Sequence, residues 1–279
     1  MDKKVNPFDK LRVDAERSRS IKSIDQIVSK TKEDLEERKR RLSLDRLKEL
    51  VGKEPVLPFA KAIQNPKKGS VAIISEIKLA SPSDQYLGVA QDIQSRTKVY
   101  EQAGVDCISV VTEKHFFKGD PSFVRIIKNT VSLPVLQKDF VVDQYQVHEA
   151  KKAGADAILL IAKIVSPKML SELVKKTIEL GMEPICEVQT EHELADALAT
   201  DTNVIAVNAR DLDTFEVDVD RACELLKMIS NTFIKLGFSG VTGKAQAEKY
   251  KNAGVDGILI GTSLMKAGNI SEFIGRIRV

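Results

Sequence analysis

The sequence predicts an α/β protein, a (β/α)8 TIM barrel carrying an N-terminal helical extension. Three observations carry this reading. After residue 70, eight short β-branched apolar runs alternate with longer amphipathic segments, the pattern of parallel strands joined by right-handed crossovers. The tetrapeptides Ala103-Gly104-Val105-Asp106, Ala153-Gly154-Ala155-Asp156 and Ala253-Gly254-Val255-Asp256 recur with their glycines 50 and 100 residues apart, each where a helix ends on a left-handed glycine and a strand opens. Two strand–helix units of about 25 residues fill one such interval, so the repeat marks units two and four apart, and eight units close a barrel. The alternative, an open doubly wound sheet, lacks its dinucleotide fingerprint, because no GxGxxG follows the first strand.

The expected strands cover 71–77, 107–111, 134–138, 157–161, 183–188, 204–208, 232–238 and 257–260. Expected helices between them include 122–129, 144–153, 167–180, 192–199, 218–229 and 244–253. Ahead of the barrel, residues 24–50 are rich in Glu, Lys and Arg and free of Gly and Pro. Ile24, Ile27, Leu35, Leu42, Leu44, Leu47 and Leu50 form a thin apolar stripe there, which reads as one or two amphipathic helices laid against a larger body. The expected division is therefore a helical extension over 1–50 and a catalytic barrel over 51–279. The pattern does not choose between the bottom of the barrel and its mouth for that extension. Lys39-Arg40-Arg41 is interleaved with acids and reads as a solvated helix face rather than a nucleic-acid contact.

Composition narrows the classes further. Across 279 residues, 43 Lys+Arg against 40 Asp+Glu gives +3, too even a balance to argue for nucleic acid, though compatible with a local basic pocket for a small anion. No apolar run approaches the ~18–20 residues of a membrane helix, and no apolar stretch follows the basic residues of the first twenty, as a leader peptide would require. Cys107, Cys186 and Cys223 are too few and too scattered for a disulfide framework or a zinc site. Cys107 and Cys186 stand in apolar runs and read as small core residues. A reducing cytoplasm is the expected compartment.

In this fold, chemistry gathers at the C-terminal ends of the strands. Those ends carry Glu76 and Lys78, two apart and on one face of the first strand, then Lys138, Glu187, Asn208 and Arg210. Burying so many charges at one rim costs several kcal/mol each unless they pair or meet a ligand, and opposed carboxylates and ammonium groups are what proton transfer needs. Strands seven and eight end instead in Ser239-Gly240 and Gly261-Thr262-Ser263. Small residues in these two loops frequently form a phosphate site; plain helix capping is the other reading of the same residues.

From about Leu42 to the end, the sequence resembles indole-3-glycerol phosphate synthase of tryptophan biosynthesis. The resemblance rests on Ser75-Glu76-Ile77-Lys78 with Ser81-Pro82-Ser83, on Ser109-Val110-Val111-Thr112-Glu113 with Phe116-Phe117-Lys118-Gly119, and on residues 134–140, PVLQKDF. Residues 154–161 (GADAILLI), Glu187-Val188, residues 208–212 (NARDL) and residues 261–265 (GTSLM) complete it. It implies a decarboxylating ring closure and dehydration of 1-(2-carboxyphenylamino)-1-deoxyribulose 5-phosphate, with no metal, nicotinamide or pyridoxal cofactor. It further implies Lys138 as general acid and Glu187 as general base. Lys78 would act beside them, on the substrate carboxylate or as a second acid. Glu76 would hold the lysine network, and Asn208 and Arg210 would orient substrate and acids. Ser81, Ser239, Gly240, Gly261 and Thr262 would hold the phosphate, with Phe117 and Phe140 as walls for the anthranilate ring. The expected partner is thus a phosphorylated small molecule, neither nucleic acid nor membrane, with other tryptophan-pathway enzymes as candidate protein partners.

The sequence departs from the family at the mouth. Glu-Ser-Gly is usual at the end of strand seven, and here Phe238-Ser239-Gly240 stands there. Sharing parity with Ile234 and Leu236, Phe238 should point inward, occupy substrate space and dry the pocket. Milder departures are Asp84-Gln85 for the usual Lys-Gly, Gln189 for His and Ala209 for Asn. Three expectations follow: a working synthase, a diverged or redesigned barrel using its lysines on another carbonyl substrate, for instance through a Schiff base, or a barrel that binds a phosphorylated ligand without turnover.

Overall fold

Strands Ala72–Ile77 (β1), Cys107–Val111 (β2), Val135–Lys138 (β3), Ala157–Ile161 (β4), Glu183–Val188 (β5), Val204–Asn208 (β6), Ile234–Phe238 (β7) and Gly257–Ile260 (β8) pair in parallel, in chain order. β8 returns to β1, so the sheet closes into a barrel. This computed structural model describes residues 24–52, 55–82 and 86–279. The leader reading made on the first twenty residues, and Ser83, Asp84 and Gln85, lie outside them.

Period-two alternation sorts each strand. Ile74, Leu136, Leu159, Ile185, Ala206, Leu236, Phe238 and Leu259 fill the barrel interior, while Ile73, Ile108, Val110, Ile158, Leu160, Ile205 and Ile258 face the helices. Each such Ile, Leu, Val or Phe side chain removed from water contributes roughly 1.5–3 kcal/mol. Cys107 lies among the interior residues, and Cys186 and Cys223 among those under the helices; all three are buried free thiols.

The repeated Ala-Gly-x-Asp units do two jobs. Gly104, Gly154 and Gly254 adopt φ of 81°, 94° and 81°, a left-handed turn that releases the chain from helix to strand. Two residues on, each aspartate clamps the preceding strand. Asp106 accepts from the Ile73 amide at 2.8 Å and the Lys67 amide at 2.7 Å. Asp156 accepts from Val135 at 2.8 Å and Leu57 at 2.7 Å, with the Lys128 ammonium 2.7 Å away. Asp256 accepts from Lys235 at 2.7 Å.

Most elements follow the expected bounds. β7 begins two residues later than expected, because Thr232 and Phe233 belong to a turn in which the Phe233 amide donates to Ser230 at 3.1 Å. Helices not foreseen are Phe59–Gln64, Ile93–Gln102, Thr262–Met265 and Ile270–Ile277. The first of these plugs the bottom of the barrel, with Phe59 and Ile63 buried among the interior residues.

Residues 24–50 form two helices, Ile24–Arg41 and Leu44–Glu49. Ser43 caps the second through the Arg46 amide and resets the helical phase. Leu44 and Leu50 therefore leave the buried stripe and are exposed, whereas Ile24, Ile27, Leu35 and Leu47 stay buried. The longer helix lies toward the mouth. Lys39 pairs with Asp143 at 2.7 Å and Arg38 with Glu149 at 3.4 Å, and the Tyr145 hydroxyl donates to the Leu42 carbonyl at 2.9 Å.

Candidate active site

A cavity of about 320 Å³ opens at the C-terminal ends of the strands. All fourteen residues expected at the site line it: Glu76, Lys78, Ser81, Phe117, Lys138, Phe140, Glu187, Asn208, Arg210, Phe238, Ser239, Gly240, Gly261 and Thr262. Glu76 points inward from β1, almost wholly buried, and its carboxylate meets the Lys78 ammonium at 2.8 Å. Burial alone would raise the Glu76 carboxyl, but the charges of Lys78, Lys138 and Arg210 outweigh it and hold the group below the usual carboxylate range.

Across the barrel a second polar chain joins three strands. The Lys138 ammonium on β3 lies 3.3 Å from the Glu187 carboxylate on β5. The other Glu187 oxygen accepts from the Asn208 amide group at 3.0 Å, and Asn208 accepts in turn from the Arg210 backbone amide at 3.0 Å. With its side chain fully buried, Glu187 thus has a partner for each oxygen, which is the condition for keeping a carboxylate out of water. The Arg210 guanidinium donates to the Phe215 carbonyl at 2.8 Å, so it is held at the rim. Gln189 binds the Arg210 carbonyl and receives the Leu212 amide, while Ala209 is fully buried beneath.

β7 and β8 end differently. Ser239 and Gly240 both adopt positive φ, 68° and 79°. A Cβ on Gly240 would lie 2.4 Å from Val219, so both conformation and space require glycine there. At Gly261 a Cβ would fall 2.1 Å from the Glu76 carboxylate and 3.0 Å from the Lys78 ammonium. The missing side chain is what admits that ion pair. Ser263 ties the two loops together, its hydroxyl donating to the Val241 carbonyl at 2.9 Å.

The apolar wall is aromatic. Phe117 and Phe140 stand 6.0 Å apart, ring centre to ring centre. Phe238 points inward, buried among the interior residues. Glu113 shapes the loop that carries Phe117, its carboxylate accepting the amides of His115, Phe116 and Phe117 at 2.7–2.9 Å.

Several wall residues escaped the sequence reading. Ile24 and Ile27 reach the cavity from the N-terminal helix, and Leu212, Phe215 and Val217 from the loop after β6. The three-residue spacing of the isoleucines marked a buried face without naming what it covers. Asp139 also lines the cavity, but its carboxylate turns to the Thr112 hydroxyl at 2.6 Å and the Phe140 amide at 2.8 Å. Burial pushes the Asp139 carboxyl up. Among the described residues, no group of three or more His, Cys, Asp or Glu is placed to hold a metal ion, and no helix is long and apolar enough to cross a membrane.

A closed barrel whose strand ends gather opposed carboxylates and cations over an aromatic-walled cavity is the plan of a (β/α)8-barrel enzyme. The profile of the indole-3-glycerol phosphate synthase family matches residues 24–277, and the chain belongs to that family. It is 38% identical over 260 residues to the indole-3-glycerol phosphate synthase of Campylobacter hominis, covering 91% of this chain and 98% of the relative. To that of Caldanaerobacter subterraneus subsp. tengcongensis it is 41% identical over 215 residues, 76% of this chain and 83% of the relative. Among solved structures, 3-hexulose-6-phosphate synthase from Salmonella typhimurium aligns at a TM-score of 0.58 with 12% identity, over 75% of this chain and 97% of that one. At that identity the likeness speaks for the fold alone.

Proposed function

We propose that this protein converts 1-(2-carboxyphenylamino)-1-deoxyribulose 5-phosphate to indole-3-glycerol phosphate, releasing carbon dioxide and water. The observation that carries the reading is the Lys138–Glu187–Asn208 chain, with its 3.3 Å and 3.0 Å contacts, inside a cavity that also offers an aromatic wall. In the ring closure, the aromatic carbon bearing the carboxylate attacks the ketone while the Lys138 ammonium delivers a proton to the carbonyl oxygen. The carboxylate then leaves as carbon dioxide, and its electron pair restores the aromatic ring. Dehydration follows: the hydroxyl departs as water with a proton from an ammonium group, and Glu187 accepts the proton that the ring system gives up.

The remaining residues have positioning and binding tasks. Lys78, neutralised on one side by Glu76 at 2.8 Å, reaches the substrate carboxylate or serves as a second acid. Asn208 holds Glu187, and Arg210 orients the substrate from the rim. Ser81, Ser239, Gly240, Gly261 and Thr262 take the phosphate, and the anthranilate ring lies against Phe117 and Phe140. Both lysines stand beside carboxylates, which suits proton donation and anion binding better than attack by a neutral amine. The N-terminal helix from Ile24 and the barrel act together in this scheme, since Ile24 and Ile27 complete the wall. Cytoplasmic placement and contact with other enzymes of tryptophan biosynthesis belong to the same reading.

Indole fluorescence tests it directly, because the chain contains no tryptophan to obscure the product. Mixing protein with the substrate should give rising indole emission, and Lys138→Ala should lower the rate by about 10²–10⁴-fold, the usual worth of a general acid. Equal rates in the two proteins, or no emission from either, would remove the proposal.

A further inference from the structure

Phe238 ends β7 and lines the cavity with its ring. Among the described residues, the cavity wall carries the cations Lys78, Lys138 and Arg210, against Glu76 and Glu187 and an Asp139 that is turned toward Thr112 and Phe140. The two lysines are held differently. The Lys78 ammonium has a close carboxylate at 2.8 Å. The Lys138 ammonium has Glu187 at 3.3 Å, and on another side the face of Phe238, 5.9 Å from nitrogen to ring centre. That distance is within the range in which a ring quadrupole attracts a cation. A lysine has several freely rotating bonds, and one ion contact does not fix its head group. The Phe238 ring cannot retreat, because it is 1% exposed inside the barrel. The backbone behind it is pinned as well: the Phe238 carbonyl receives the Ala209 amide at 2.9 Å and lies 3.1 Å from the Tyr250 hydroxyl.

We propose that Phe238 is a positioning residue for Lys138, its ring face the second support of the ammonium group beside Glu187. The inference rests on the synthase reading above and deepens it. The ring attracts the cation without accepting a proton from it, so Lys138 keeps its close carboxylate, Glu187, while its head group stays aimed at the cavity.

Steady-state kinetics of Phe238→Leu and Phe238→Tyr separate this from simple space filling. Phe238→Leu keeps an apolar side chain without a ring face, and should lower kcat about tenfold, in line with a cation–π contact, while KM moves less than about twofold. Phe238→Tyr keeps the face and should retain kcat within about twofold. A second readout needs no turnover. The Lys138 Cε protons, assigned by their loss in Lys138→Arg, should show a ring-current upfield shift in the wild type and in Phe238→Tyr, and none in Phe238→Leu. Equal kcat in the two variants, a loss confined to KM, or an unchanged shift in Phe238→Leu would overturn the proposal. A wild type that shows the shift and makes no indole would instead overturn the synthase reading and leave the lysine–ring contact standing.

Discussion

Gly261 shows how a residue with no side chain can determine a site. A methyl there would sit 2.1 Å from the Glu76 carboxylate, well inside van der Waals contact. Gly261→Ala should therefore fold, since the clash falls on the end of a side chain rather than on backbone, while the Glu76–Lys78 pair is forced apart. The expected outcome is a fall of at least tenfold in kcat/KM with a stability loss of about 1–3 kcal/mol, read by indole formation and urea unfolding on the same preparation. Full activity in a stable Gly261→Ala would show that the pair does not matter to the reaction. At this scale the sequence was informative about polar rim residues, because strand parity and position at a strand end are both visible in it. It was silent about Phe215 and Val217, which reach the cavity from an irregular loop whose path no periodicity encodes.

The three aspartates of the repeat make a stability argument for whole elements. Each opens an even-numbered strand and takes the amide of the odd-numbered strand before it, at Ile73, Val135 and Lys235. The clamps lie at the N-terminal strand ends, away from the chemistry. Asp156 binds two backbone amides and the Lys128 ammonium, so Asp156→Ala leaves two backbone donors and a half-buried cation without their acceptor. A loss of about 3–5 kcal/mol is expected, with kcat of the folded protein little changed. Asp256→Ala, with one amide to lose, should cost less; equal losses in urea unfolding would refute the accounting. The repeat revealed the barrel through its spacing, whereas the clamping role of its aspartates needed coordinates. Short elements were the least legible. Phe59–Gln64 has six residues and no side-chain cap, and Ile93–Gln102 follows an Asp92 that makes no cap hydrogen bond. Neither announces its start in the way Ser166-Pro167 does.

For the molecule as a whole, the N-terminal helix makes the mouth a composite of two chain segments far apart in sequence. Around a buried apolar face of Ile24, Ile27 and Leu35 its attachment has a polar, partly exposed rim, through Lys39–Asp143, Arg38–Glu149 and His115–Asp34. Burial pushes the Glu149 carboxyl up from 4.5 to about 7, against the pull of Arg38. An acid whose folded value is raised binds its proton more tightly in the native state. Its contribution therefore favours folding below pH 4.5 and is lost as pH rises through about 7. Glu149→Gln removes that dependence, so its melting temperature relative to wild type should climb by a few degrees between pH 5 and pH 8. A difference that stays flat or falls over that window would contradict the assignment. The sequence showed that this helix has a buried face but could not say which end of the barrel it meets, because an amphipathic stripe records burial and not the identity of the neighbour.

One anchoring detail concerns the end of β7. Gly237 leaves room for the Tyr250 ring, which would lie 2.5 Å from any Cβ there, and the Tyr250 hydroxyl reaches the carbonyls of Phe238 at 3.1 Å and Ser239 at 2.9 Å. The main chain at the end of β7 is thus bolted from behind, independently of the side chain that projects from it. The side chain at 238 therefore has no part in holding the carbonyls that lead into the Ser239-Gly240 turn. Position 238 is thus a socket, where the side chain facing the mouth is separable from the backbone that shapes the turn beside it.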